Sequence, residues 1–166
     1  MKTPALIFRF RVAMVLFIAG LVISGVTAFP LLFELRILAN LLAPGDQGTL
    51  AFWILKVRDG LEHTYARYPW VAYGTDWLAF GHLVIAMFFV GPLIHPLSSR
   101  TNIITGIVAC VSIFPLAMIC GPLREIPLGW QMIDCSFGLI GVVPLVYCLR
   151  LLKRLEMLNS GGEGHE

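Results

Sequence analysis

Residues 127–149 read PLGWQMIDCSFGLIGVVPLVYCL, a run whose only charged side chain is Asp134. Such a run covers the ~20 residues that an α-helix needs to cross a hydrocarbon core about 30 Å thick. Three further stretches, 12–33, 77–99 and 101–123, contain no Asp, Glu, Lys or Arg. The chain is 58% hydrophobic and 13% charged, with a mean hydropathy of +0.83. A soluble domain carries about 25% charged residues, so the deficit argues against a soluble globular core. The expected fold is all-α: an integral membrane bundle of four transmembrane helices, near 10–30, 75–94, 102–121 and 129–152, forming one domain over 1–158. The bilayer is the expected partner. A net charge of +2, without a basic run interleaved with aromatics, gives no argument for nucleic acid.

The first span admits a second reading. Lys2, Arg9 and Arg11 lead into the apolar run, and Val26-Thr27-Ala28 resembles a signal-peptidase site. The uncharged stretch is longer than an ordinary signal core, which favours a retained helix. The cysteines Cys110, Cys120, Cys135 and Cys148 form no C-x-x-C pair, so a thiol–disulfide motif is missing. They read as small apolar packing residues, with a Cys120–Cys135 bridge as the alternative.

Charge sets the expected orientation. Lys2, Arg9 and Arg11 flank the first span, Arg100 follows the second, and Arg150, Lys153 and Arg154 follow the fourth. The positive-inside rule places these residues, and both termini, in the cytoplasm of a bacterial inner membrane. The connections 31–74 and 122–128 are then outside. Within the long one, 44–48 (PGDQG) signals a turn. After it Leu50, Trp53, Ile54, Val57, Leu61, Tyr65 and Tyr68 recur at helical spacing, opposite Lys56, Arg58, Asp59, Glu62, His63 and Arg67. This predicts an extracytoplasmic amphipathic helix that lies in the interface or caps the bundle. Residues 31–43 form a second apolar helical stretch, with Pro30 as a kink before it. The tail 159–166 (NSGGEGHE) reads as disordered.

Asp76, His82 and Asp134 carry the candidate chemistry. A charge at the bilayer centre costs roughly 2.5–3.5 kcal/mol on insertion scales, so such residues usually face protein and often mark function. Counted from the expected outer ends of their helices, His82 and Asp134 both lie roughly 10 Å deep. They would pair if their helices are neighbours. Asp76 reads either as a cap at the entrance of its helix or as a member of the site. Gln131, Asp134, Gly138 and Gly141 share one helical stripe, and the glycines permit close approach of another helix. The turn 121–127 (GPLREIP) holds Arg124 where it could meet a carboxylate or a phosphate.

The leading functional reading is a small ligand, lipid headgroup or ion bound near the outer face by Asp76, His82, Arg124, Gln131 and Asp134. Two other classes stay open. One is an enzyme in which Asp134 orients His82 as a general base on a membrane-borne substrate. The other is an accessory subunit whose polar pairs are structural glue within a larger membrane complex. A metal site from His82, Asp76 and Asp134, with His63 or Glu62, has no H-x-x-x-H or H-E-x-x-H motif behind it. Nothing in the sequence names a cofactor. Bis-histidine haem ligation by His82 and His95 fails, because 13 positions on one helix separate them by roughly 20 Å.

The stretches 73–82 (YGTDWLAFGH), 121–127 (GPLREIP) and 130–138 (WQMIDCSFG) resemble a group of small bacterial four-helix inner-membrane proteins of uncharacterised function. The resemblance runs from about Val12 to Tyr147. It implies the four-span topology and carries no activity with it.

Overall fold

A computed structural model describes residues 3–42 and 48–160. Among them the chain forms α1 (Thr3–Ala28), α2 (Leu31–Leu42), α3 (Thr49–Arg67), α4 (Trp70–Phe88), α5 (Val90–Ile94), a 3-10 turn (Pro96–Ser98), α6 (Arg100–Leu123) and α7 (Leu128–Ser160), with no strand. Four helical segments are long and apolar enough to cross a membrane: Thr3–Ala28, Trp70–Ile94, Arg100–Leu123 and Leu128–Asn159. Between 11% and 33% of each apolar window is buried inside the molecule, so most of that apolar surface faces outward. The amphipathic stretch after the first span is helical, as its periodicity predicts, and the apolar stretch before it forms α2. The turn expected at 44–48 lies largely outside the described residues. Of the expected disordered tail, Asn159 and Ser160 continue α7, and the rest lies outside the described residues.

Two compact units emerge: Met1–Gly20 with Ala86–Glu166, and Leu21–Ile85. The first is built on an antiparallel α6–α7 hairpin. Its ladder of contacts joins Gly121 to Gln131, Cys110 and Phe114 to Gly138, Cys110 to Gly141, and Leu145 to Gly106. Arg100 closes it by an ion pair to Glu156, 3.1 Å. The close approach expected of Gly138 and Gly141 is realised: a Cβ on Gly138 would stand 2.6 Å from the Cys110 carbonyl oxygen. The first half of α1 runs along α7. Leu6, Phe10, Met14 and Phe17 form its buried stripe, the Cys148 thiol donates to the Phe10 carbonyl at 3.6 Å, and Phe17 packs edge-on to Phe89 at 4.8 Å.

Proline shapes this unit. Pro92 has no N–H to give the Phe88 carbonyl and its ring crowds it, and α4 ends at Phe88. Phe89 bridges into α5, its N–H bonded to the Ala86 carbonyl at 3.1 Å. Pro115, Pro122 and Pro144 are accommodated inside α6 and α7.

The second unit packs the end of α1 on α4 and pairs α2 with α3. A Cβ on Gly25 would meet the Ala79 carbonyl at 2.9 Å and His82 Cβ at 3.1 Å, so these two helices nearly touch backbone to backbone. The chain breaks at Phe29-Pro30 before α2 begins. Leu35 and Ala39 of α2 are buried, as are Ala51 and Ile54 of α3. Arg36 joins Glu62 at 2.6 Å. The phenol of Tyr65 and the hydroxyl of Thr75 share a 3.2 Å hydrogen bond.

Candidate functional site

In the first unit, the candidate residues Arg124, Gln131 and Asp134 gather around the α6–α7 turn. α6 stops in a Schellman arrangement. The Ile126 N–H bonds the Gly121 carbonyl at 2.9 Å, the Glu125 N–H bonds the Pro122 carbonyl at 3.1 Å, and Glu125 between them is left-handed at φ 56°. The sequence places no glycine at that position. The Gln131 side chain, 4% exposed, folds over this turn. Its Nε2 donates to the Ile126 carbonyl at 2.7 Å, and it occupies the space a side chain on Gly121 would need. Gln131 is thus a clamp on the turn, a role the sequence reading did not give it. Its Oε1 is buried with no hydrogen-bond partner among the described residues.

Asp134 follows one turn later on α7. It is half-buried and has no hydrogen bond or ion pair to any described residue. Residues three apart on a helix are surface neighbours, about 5–6 Å between Cβ atoms. Two acceptors without donors, an amide oxygen and a carboxylate, therefore sit on adjacent turns. Arg124 is exposed at the turn itself. Ser136 turns its hydroxyl back to the Ile133 carbonyl, 2.6 Å.

Asp76 and His82 belong to α4 in the second unit. α4 begins at Trp70, not near 75. Its first turn is closed by the Val71 N–H to Tyr68 (3.0 Å) and the Ala72 N–H to Pro69 (3.2 Å). Pro69 cannot extend a helix toward its N-terminal side, and the residues after it are all helix-compatible. Asp76 is thus interior to the helix, which overturns its reading as a cap. His82 lies twelve residues past Trp70, about 18 Å along the axis. A carbonyl only accepts, so His82 Nδ1 carries the proton that bonds the Leu78 carbonyl at 2.9 Å. Nε2 is then the ring atom left to accept in the neutral form.

Among the described residues no three of His, Cys, Asp and Glu come together as a metal site would require, and Glu62 is engaged by Arg36. The four cysteines are free, with Cys120 exposed and Cys135 buried. The chain matches no protein family, no curated protein and no solved structure.

Proposed function

We propose that the chain is a multi-pass protein of a bacterial inner membrane, with both termini cytoplasmic. On this reading it binds a small donor-bearing ligand, a lipid headgroup or an ion at its outer face. The membrane assignment is supported by the four apolar helices and by their outward apolar surface. The exposed aromatics Tyr68, Trp70, Tyr73 and Trp77 at the start of α4 are the residue types that collect at the headgroup level. The seven positive charges at 2, 9, 11, 100, 150, 153 and 154 support the orientation.

One observation carries the binding reading: the buried, unpartnered Oε1 of Gln131 stands one turn from the unpartnered carboxylate of Asp134. Burying an acceptor without a donor costs about 1–3 kcal/mol, so a protein retains the arrangement where a donor arrives from elsewhere. An ammonium or a cation satisfies both acceptors, and Arg124 would take an accompanying phosphate. Asp76 and His82 are the polar groups of α4 that the same reading assigns to outer-face binding.

Native mass spectrometry of the full chain released from mild detergent, with metal analysis of the same sample, tests the proposal. The expected result is a stoichiometric adduct that Asp134→Asn abolishes while yield and melting temperature hold. A wild-type mass with no adduct, or an Asp134→Asn protein that no longer folds, would overturn it in favour of structural glue.

A further inference from the structure

At the end of the first unit away from the α6–α7 turn lies a cavity of about 410 Å³, within the ~300–1,000 Å³ range of small-molecule sites. The start of α1, the 94–98 segment and the end of α7 line it, and it opens to the surface. Its polar lining is Arg11, His95, Ser98, Thr3 and Asn159, and among the described residues no carboxylate lines it. Aliphatic surface from Ile7, Ile94, Leu97 and Leu155 completes the wall.

The lining is held in shape by bonds that leave its functional ends unused. The His95 carbonyl accepts from the Ser99 hydroxyl at 2.5 Å and from the Ser98 N–H at 3.3 Å. The Ser99 N–H bonds the Pro96 carbonyl at 3.2 Å. These contacts fix the segment through its backbone. The Arg11 guanidinium, the His95 ring and the Ser98 hydroxyl make no bond to any described residue. The nearby carboxylate of Glu156 is engaged by Arg100. Among the described residues the cavity therefore combines positive charge without a paired carboxylate, hydroxyl and amide donors, and an apolar wall.

We propose that this cavity binds a phosphate ester, with the Arg11 guanidinium forked on the phosphate and His95 and Ser98 donating beside it. The guanidinium matches two phosphate oxygens at once. Arg11 lies eight residues past Thr3, about 12 Å along the helix, and its long stem lets the charge reach the end of the span while the methylenes stay on apolar surface. The aliphatic wall favours a phospholipid over a free phosphate ester, since it covers the first part of an acyl chain. This site is independent of the one at the α6–α7 turn.

The test is a calorimetric titration of the full chain in nonionic micelles. The probes are dihexanoyl phosphatidylglycerol, the matching dihexanoyl glycerol and inorganic phosphate. Saturable one-to-one binding of the phospholipid is expected. Arg11→Gln should weaken it by about tenfold or more. Asn159→Glu, which puts a carboxylate at the mouth from a different helix, should do the same and decides the matter if Arg11→Gln misfolds. Lys153→Gln removes a charge that does not line the cavity and should leave the affinity unchanged. Inorganic phosphate binding as tightly as the phospholipid supports the phosphate site and assigns it to a soluble ester. Equal affinity for the uncharged glyceride would overturn the proposal. So would equal losses in Arg11→Gln and Lys153→Gln, which mean diffuse attraction to a basic end, or the absence of saturable binding.

Discussion

Replacing Gly138 by alanine adds one methyl group where α6 and α7 cross. That Cβ would stand 2.6 Å from the Cys110 carbonyl oxygen and 3.3 Å from Phe114 Cε2. A carbon–oxygen contact settles at about 3.3 Å or more, so the first distance is short by about 0.7 Å. The obstacle is a helical backbone atom, which cannot rotate aside as a side chain can, so the two helices must separate locally. Overpacking of this kind costs about 1–3 kcal/mol. Alanine also gains up to about 1 kcal/mol over glycine in a helix interior, which hides part of the cost. Gly81→Ala isolates that gain, because a Cβ on Gly81 meets nothing within 4 Å. Equilibrium unfolding in mixed SDS micelles should therefore place Gly138→Ala about 1–3 kcal/mol below Gly81→Ala. Gly141→Ala provides an internal contrast, because its obstacle is the Cys110 sulfur at 2.9 Å, a side-chain atom. Cys110→Ala should restore Gly141→Ala and leave Gly138→Ala unrepaired. Equal stability of Gly138→Ala and Gly81→Ala, or rescue of both by Cys110→Ala, would refute the crossing geometry.

Three other perturbations separate the energetic terms. Glu125 stands left-handed at φ 56°, a conformation costing an L-residue roughly 1–2 kcal/mol, so Glu125→Gly should stabilise the α6–α7 turn by up to about 1 kcal/mol after glycine's greater unfolded-state entropy is counted; a destabilised variant in the same unfolding assay would contradict the assignment. Arg36→Ala should cost less than about 1 kcal/mol, because the Arg36–Glu62 pair leaves 55% and 39% of its side chains exposed; a larger loss would mean that the α2–α3 pair depends on that bridge. Leu145 and Leu152 are both 0% exposed, yet Leu152→Ala should destabilise more. Lipid tails are as apolar as leucine, so within the bilayer only the packing term of the substitution survives; equal losses would place both residues in the same solvent.

The helices were legible because their signal is redundant. Val12 to Phe33 or Thr101 to Leu123 contains no charge to interrupt burial in lipid, and the polar and apolar residues of 50–68 alternate with helical period. Ends were harder to read. α4 starts at Trp70 because Trp, Val, Ala and Tyr after Pro69 favour helix as well as they favour an interface, and hydropathy does not separate the two. α7 continues past Arg150 to Ser160 for a similar reason: charged residues leave a lipid span without leaving a helix. At the site, hydropathy picked out Asp134 as a polar position in an apolar run, and the stripe through Gly138 and Gly141 correctly implied a close crossing. Gln131 as a clamp was not legible, since its bond to Ile126 exists only once Glu125 turns left-handed, and glutamate gives no sign of that conformation. The cavity around Arg11 and His95 was hidden for another reason. It joins residues separated by most of the chain, and each of them alone reads as an ordinary helix-end charge or loop residue.

The length of α7 connects the two ends of this unit. Its 33 residues extend about 50 Å, against a hydrocarbon core of about 30 Å. The first cation on it, Arg150, comes about 33 Å after Leu128, where a span that begins near the turn would leave the lipid. Beyond that point the helix does not become a bare stalk, for Leu151, Leu152 and Leu155 are 3%, 0% and 3% exposed. With lipid no longer available to cover these side chains, protein must do so, and the start of α1 with the 94–98 segment is what encloses Leu155. The helices therefore stay assembled past the hydrocarbon boundary. On the proposed reading, an apolar wall there meets the Arg11 guanidinium and the His95 ring, and that coincidence of surfaces is what a phosphate ester with an acyl chain requires. At the opposite end the hairpin closes in a tight turn beside a buried amide oxygen of Gln131 and a half-buried carboxylate of Asp134, neither with a donor among the described residues. The two proposed sites would thus select opposite chemistry, donors with positive charge at one and acceptors at the other.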